Sequence, residues 1–202
     1  MKSNIEQYGL SEADMQKIRK GIDEFERYKQ ELLCKKDYFS YLMCFDSHNC
    51  LKPFLEIVHL LKDREYWELL RIVYESDDFW KRAQFEGDYL IMNHRKKLFE
   101  LLASSRPGRD YFMEDEERRQ FDELPPSITV FRGFNMVEFS DGYSWSTSMQ
   151  VAIWFAQRFK GDMIVAGRCS KKSVIGYLLG REEFEIVIDP KLVTGKKIQR
   201  IE

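Results

Sequence analysis

Apolar side chains recur at intervals of three and four through the first part of the chain: Met15, Ile18, Ile22, Phe25, Tyr28, Leu32 and Leu33. That spacing lines one face of an α-helix. Ahead of it, Ser11-Glu-Ala-Asp14 has the form of a capping box with Asp where Glu or Gln is usual. Pro53 is placed to open a second helix, with Phe54, Leu55, Val58, Leu60 and Leu61 as its apolar set. Further helices are predicted over 66–74 and 89–102; Pro107-Gly108 breaks the pattern, and an acidic helix over 114–124 ends at Pro125-Pro126.

From Ser127 the texture changes. Residues 128–131, 163–166, 174–179, 184–188 and 197–201 form short β-branched or alternating runs, punctuated by Gly133, Gly142 and Gly161. One helix over 149–159 interrupts them, with Ala152, Phe155, Ala156 and Phe159 on one face and Ser148 placed to cap it. Helices followed by strands predict an α+β protein, divided into a helical region over 1–123 and a strand-rich part over 124–202.

The length, 202 residues, suits one domain or one domain with an appendage, and a 44% hydrophobic content is ample for a core. No apolar run approaches the ~20 residues of a membrane span, and the opening MKSNIEQYGLSEAD lacks the apolar centre of a signal peptide. The expectation is a cytoplasmic protein with no membrane partner. Cys34, Cys44, Cys50 and Cys169 match neither paired metal-ligand spacing nor a disulfide ladder. Cys44, His48 and Cys50 lie close together but lack a fourth ligand, so they read as ordinary side chains and no metal is expected. The net charge of −2 divides unevenly: acidic side chains exceed basic ones by 5 over 1–125, and basic exceed acidic by 3 over 126–202. The C-terminal part therefore tolerates an anionic ligand. Phe79-Trp80-Lys81-Arg82 and His94-Arg95-Lys96-Lys97 interleave aromatic and basic residues, but within an acidic half they read as helices with a basic outer face.

Three short stretches carry candidate chemistry: Phe131-Arg132-Gly133, then Trp145-Ser146-Thr147-Ser148, then Glu183-Phe184-Glu185. Singly, an Arg at a strand end is usually solvated, a Ser-Thr-Ser before a helix is usually a cap, and alternate glutamates usually make a wet strand face. Together they converge. If 184–188 is a strand, Glu183 and Glu185 project from one face while Phe184 turns into the core and Ile186 and Ile188 continue the buried face. Paired carboxylates suit chemistry at a sugar carbon that gains positive charge. Arg132 offers a planar fork for phosphate, and the Ser146 hydroxyl can bond a carboxylate or a ribose. A substrate with a diphosphate, a ribose and a scissile glycosidic bond fits that set, and NAD is such a substrate.

The ordered set Phe-Arg-Gly, aromatic-Ser-Thr-Ser followed by Val-Ala-x-Trp-Phe-Ala, and Glu-x-Glu-Ile-Val-x-x-Pro resembles the R-S-E class of ADP-ribosyltransferases, and is most similar to small bacterial and phage-encoded members. The resemblance spans roughly residues 124 to 194. It implies a split β-sandwich that clamps NAD, with 124–202 as catalytic core and 1–123 as a target-binding, partner-binding or buttressing region. It further implies that Arg132 contacts an NAD phosphate and the nearby ribose, and that the Gly133 backbone approaches the nicotinamide. Ser146 would orient Glu185 and the nicotinamide ribose, and Glu185 would hold the ribose 2′-hydroxyl and stabilise the oxocarbenium. Glu183 would position or deprotonate the acceptor. Thr147 belongs to the cofactor-binding motif; Trp145, Trp154 and Phe155 are candidates to stack on nicotinamide, although Phe155 also lies on its helix's apolar stripe. Tyr177 and Arg181 would help choose the acceptor.

The expected reaction is release of nicotinamide and transfer of ADP-ribose to a macromolecular acceptor, a protein side chain ahead of RNA or DNA. By resemblance, such a chain is an intracellular toxin or phage–host conflict factor with a neutralising antitoxin as partner. An NAD glycohydrolase, which passes ADP-ribose to water, and a non-enzymatic helical interaction module with a degenerate transferase domain are the alternatives.

Overall fold

The computed structural model describes residues 11–46, 50–76 and 89–201, and the protein is a mixture of helices and one antiparallel sheet. The helical part comprises α1 (Glu12–Lys35), α2 (Tyr38–Met43), α3 (Leu51–Ile57), α4 (Asp63–Ser76), α5 (Tyr89–Leu102) and α6 (Asp115–Glu123). The capping box forms with Asp in the third helical position: the Ser11 hydroxyl accepts from the Asp14 N–H, and the Ser11 N–H donates to the Asp14 carboxylate at 3.1 Å. The stripe along α1 behaves unlike a core face. Ile18, Ile22, Phe25 and Tyr28 are 44%, 55%, 44% and 49% exposed, and burial on this helix is confined to Leu32 near its C-terminal end. The basic-aromatic stretch Phe79-Trp80-Lys81-Arg82 lies outside the described residues.

Helix α4 is the axis of the larger core. Trp67, Leu70 and Val73 are essentially inaccessible and pack with Leu42, Phe54, Ile57, Leu98, Leu102 and Phe112. The Trp67 indole N–H donates to the Pro107 carbonyl at 2.9 Å and the Tyr66 hydroxyl to that of Leu101 at 2.7 Å, so the buried aromatics leave no bond unmade at those atoms. The same cluster takes in Tyr143, Ile175, Leu178 and Val187 from the strand-rich part. The Phe99 ring stacks on Tyr143 with centroids 4.2 Å apart. The larger core cluster therefore runs across the boundary expected at residue 123.

The strands are β1 (Ser127–Phe134), β2 (Ser144–Ser146), β3 (Met163–Ser170), β4 (Gly176–Leu178), β5 (Glu185–Val187) and β6 (Thr194–Arg200), in the order β4-β5-β2-β1-β3-β6. All pair antiparallel. The six strands form a single hydrogen-bonded sheet. A long half, β1-β3-β6, and a short half, β4-β5-β2, meet at one pair, Phe131 with Ser146. Helix α7 (Met149–Arg158), capped by the Ser148 hydroxyl as expected, lies against the long half through Ala152 and Ala156, packed with Ile164. β6 is exposed along its whole length at the outer edge.

One buried ion pair ties these parts together. Arg71 on α4 grips both carboxylate oxygens of Glu117 on α6, and Glu117 is itself 4% exposed. Glu117 Oε1 also accepts the Leu179 N–H at 3.0 Å, and Oε2 accepts the Glu114 N–H at 2.8 Å. Burial works to raise the Glu117 pKa, but the Arg71 guanidinium and the two N–H donors outweigh it and hold the carboxyl below its usual range. Stability from this group is fully present above the ordinary glutamate pKa and is lost as pH falls through the lower folded value. Glu117→Ala leaves the Leu179 and Glu114 N–H groups without their acceptor and Arg71 with only the more exposed Glu75 and Glu114 carboxylates, and is expected to cost about 1.5–3 kcal/mol in urea unfolding at neutral pH. The gap between variant and wild type should narrow in acid; a constant gap would refute the ionic account.

Candidate functional site

Register brings the sequence-predicted residues onto three adjacent strands. Phe131 pairs with Ser146, and Ser146 pairs with Glu185, so Ser146 stands between β1 and β5 with Arg132 one residue beyond the crossing pair. If the β1–β2 ladder continued, Gly133 would face Ser144. Instead the Ser144 carbonyl accepts from Arg132 Nη1 at 2.7 Å, and the Phe139 carbonyl accepts from Nε at 3.1 Å. Gly142 leaves room for this: a Cβ there would lie 2.7 Å from the Arg132 Cζ. Arg132 thus fixes the point where the half-sheets part, with its charge close enough to Glu185 to favour the ionised carboxylate.

Glu185 is half-buried at the start of β5. Burial is the main influence on its carboxyl and raises the pKa; Glu183 raises it further. Hydrogen bonds from Ser144 and Tyr74 and the Arg132 charge oppose the rise without cancelling it. Tyr74, on α4, donates to Glu185 Oε1 at 2.5 Å across 111 residues of sequence. Desolvation and the adjacent carboxylate push the Tyr74 pKa well above that of a free tyrosine, so its hydroxyl remains a donor. Neither Tyr74 nor Ser144 was expected to touch the carboxylate. The 3.6-residue period marks Tyr74 only as a core residue of α4, whereas Ser144 shares a face with Ser146 in the sequence.

Ser146 acts differently from the expectation. Its buried hydroxyl donates to the Glu183 carbonyl at 2.7 Å and accepts the Ser148 N–H at 3.0 Å. Orientation of Glu185 falls to Tyr74, and Ser146 anchors the chain just before it. The Thr147 N–H adds a second anchor by donating to the Phe184 carbonyl at 3.1 Å.

These anchors shorten the strand expected over 184–188 to Glu185–Val187 and leave Phe184 outside it. Glu183 has φ −83° and ψ −16°, and Phe184 has φ 48°, so pleated alternation stops before Glu185. Phe184 is 38% exposed and does not turn into the core, although Ile186, Val187 and Ile188 are fully buried. Glu183 and Glu185 therefore approach from a turn and a strand, not from one strand face.

The remaining candidates divide. Trp145 is 1% exposed, with its indole N–H donating to the Gly142 carbonyl at 2.6 Å, so it is a core residue and not a stacking surface. Tyr177, at 5% exposure, packs in the same cluster toward Phe121 and cannot reach a macromolecular acceptor. The Arg181 backbone sits in the 3-10 turn Gly180–Glu182; its side chain lies outside the described residues. Phe155 is half-buried between Trp154, at 4.9 Å, and Phe159, at 6.4 Å between centroids. Trp154 is half-exposed beneath the Arg158 guanidinium.

Gly133 lacks a side chain for a packing reason. A Cβ would fall 1.9 Å from the Ala152 carbonyl oxygen and 2.6 Å from the Ala156 nitrogen, because α7 rides directly on β1 there. At the cysteines, Cys44 and Cys50 point Sγ at the Ser40 and Asp46 carbonyls, while His48 lies outside the described residues. Among the described residues no cluster of metal-binding side chains forms, and no helix is long and apolar enough to cross a membrane. No family model, curated protein or solved structure matches the chain.

Two outcomes follow from this geometry. Gly133→Ala should lower stability by about 1–3 kcal/mol or more, since backbone and not a flexible side chain must move; an unchanged urea midpoint would contradict the α7 contact. Glu185 has a raised folded pKa, so its contribution is fully present below the ordinary glutamate value and is lost as pH rises through the folded value. Glu185→Gln should therefore gain stability relative to wild type as pH rises to neutrality. Parallel pH–stability curves would contradict the raised pKa.

Proposed function

We propose that the chain is a mono-ADP-ribosyltransferase that uses NAD as substrate, and that its sheet is a split ADP-ribosyltransferase sandwich opened at the Phe131–Ser146 pair. The observation that carries this reading is the convergence of Arg132, Ser146 and Glu185 on three adjoining strands, with a half-buried carboxylate flanked by hydroxyls and a fixed guanidinium. A carboxylate in a partly desolvated site stabilises developing positive charge far better than one in water. In the proposed reaction the C1′–N bond to nicotinamide breaks and its electron pair leaves with the ring. The oxocarbenium forms beside Glu185, and an acceptor nucleophile bonds to C1′ while its proton passes to Glu183. Arg132 supplies positive charge for the diphosphate. Phe155 and Trp154 keep surface that a nicotinamide ring could cover.

We further propose a toxin or phage–host conflict role, with a macromolecular acceptor and a neutralising partner. Purified chain incubated with labelled NAD, a cell lysate and total RNA should label protein or RNA, and Glu185→Gln should cut that labelling by about 10²–10³-fold. Labelling unaffected by the substitution would remove Glu185 from the reaction. Free nicotinamide without labelled macromolecule would favour an NAD glycohydrolase, and absence of turnover a non-enzymatic module. Glu183→Gln should reduce transfer more than hydrolysis; equal losses would take Glu183 away from the acceptor.

A further inference from the structure

Helix α4 presents two polar side chains, Arg71 and Tyr74, three residues apart and hence on one face. Both act on the ends of the connection between β4 and β5, Arg71 through Glu117 and Tyr74 through the first residue of β5. Arg71 holds Glu117, whose Oε1 takes the Leu179 N–H at the start of that connection; Tyr74 takes Glu185 Oε1 at its end. The two contacts bracket the segment that carries Glu183 and Glu185. The Tyr74 ring is a core element, 5% exposed and set edge-on to Phe112 at 5.8 Å. A phenylalanine would fill that volume equally well. Burying a hydroxyl there is costly unless it is bonded, and its bond goes to the carboxylate on which the transferase reading turns.

We propose that Tyr74 is a positioning residue for Glu185: delivered by the helical part of the chain, its hydroxyl fixes the carboxylate's orientation and favours its ionised form. The helical region is then a working part of the site and not only a surface for targets. The consequence for catalysis rests on the transferase reading; the contact itself does not. The groups that face the Glu185 carboxyl are Tyr74 from α4, the Ser144 hydroxyl from β2, Arg132 from β1 and Glu183 from the preceding turn. Tyr74 and Ser144 donate, Arg132 attracts, and Glu183 alone repels, so loss of the Tyr74 hydroxyl shifts the balance toward the protonated acid.

Tyr74→Phe tests this, read first by carboxyl-carbon NMR titration of the full chain, with Glu185→Gln identifying the Glu185 resonance. The Glu185 titration should move to higher pH in Tyr74→Phe. An unmoved titration would overturn the proposal whatever the enzyme assays give. In nicotinamide release from NAD, Tyr74→Phe should lower kcat by about tenfold or more, the scale of a lost hydrogen bond to a charged group. KM for NAD should change little, and the acid limb of the kcat profile should move up in pH. In a Glu185→Gln background the same substitution should have no further effect on kcat; an equal loss there would show a merely structural role and overturn the proposal. A shifted titration in a chain that turns over no NAD would uphold the Tyr74–Glu185 coupling and refute the transferase reading.

Discussion

The arrangement depends on the grip of Arg71 on Glu117. A buried carboxylate is tolerable only when its charge is met and its lone pairs are occupied, and here one guanidinium and two backbone N–H groups do both. Because the donors come from α4, the start of α6 and the β4–β5 connection, satisfying that single group aligns helices and sheet at once. The Tyr74–Glu185 contact springs from the same face of α4, three residues from Arg71, so one helix carries both the ion pair and the donor to the site carboxylate.

The site is divided between holding and facing. Ser146 and Thr147, read from sequence as ligand-facing, spend a hydroxyl and an N–H on the carbonyls of Glu183 and Phe184. Those two bonds stabilise a left-handed Phe184, a conformation that costs a bulky residue on the order of 1–3 kcal/mol and persists only where surroundings over-determine it. Arg132 likewise uses two of its donors on main-chain carbonyls at the parting of the half-sheets. Local backbone order is exchanged for a partly desolvated carboxylate at a defined place.

Legibility in the sequence followed the range of the interaction. The α1 cap, the Ser148 cap, the bounds of α5 and the buried Ile186 and Ile188 are local, and propensity with periodicity suffices for them. The co-location of Arg132, Ser146 and Glu185 was legible only through motif order. What alternation misjudged was set by tertiary context: Phe184 leaves the pleat because its neighbours' carbonyls are captured, Trp145 and Tyr177 are drawn into the core, and α1 keeps an apolar stripe at the surface. Tyr74 was out of reach, since nothing in a helical period says that a core tyrosine will meet a glutamate 111 residues away.

The outer strand β6 bears on how the molecule behaves in company. An uncovered edge offers unpaired N–H and C=O groups to any extended chain that drifts alongside, which is the first step of strand-mediated aggregation. Lys196, Lys197 and Arg200 stand along this one, beside an Ile198 that is half-exposed. Lys196 is held to Asp141 and Arg200 lies near Asp162, so long charged side chains, more than net repulsion, stand in the way of a like edge that would template its own stacking at high concentration.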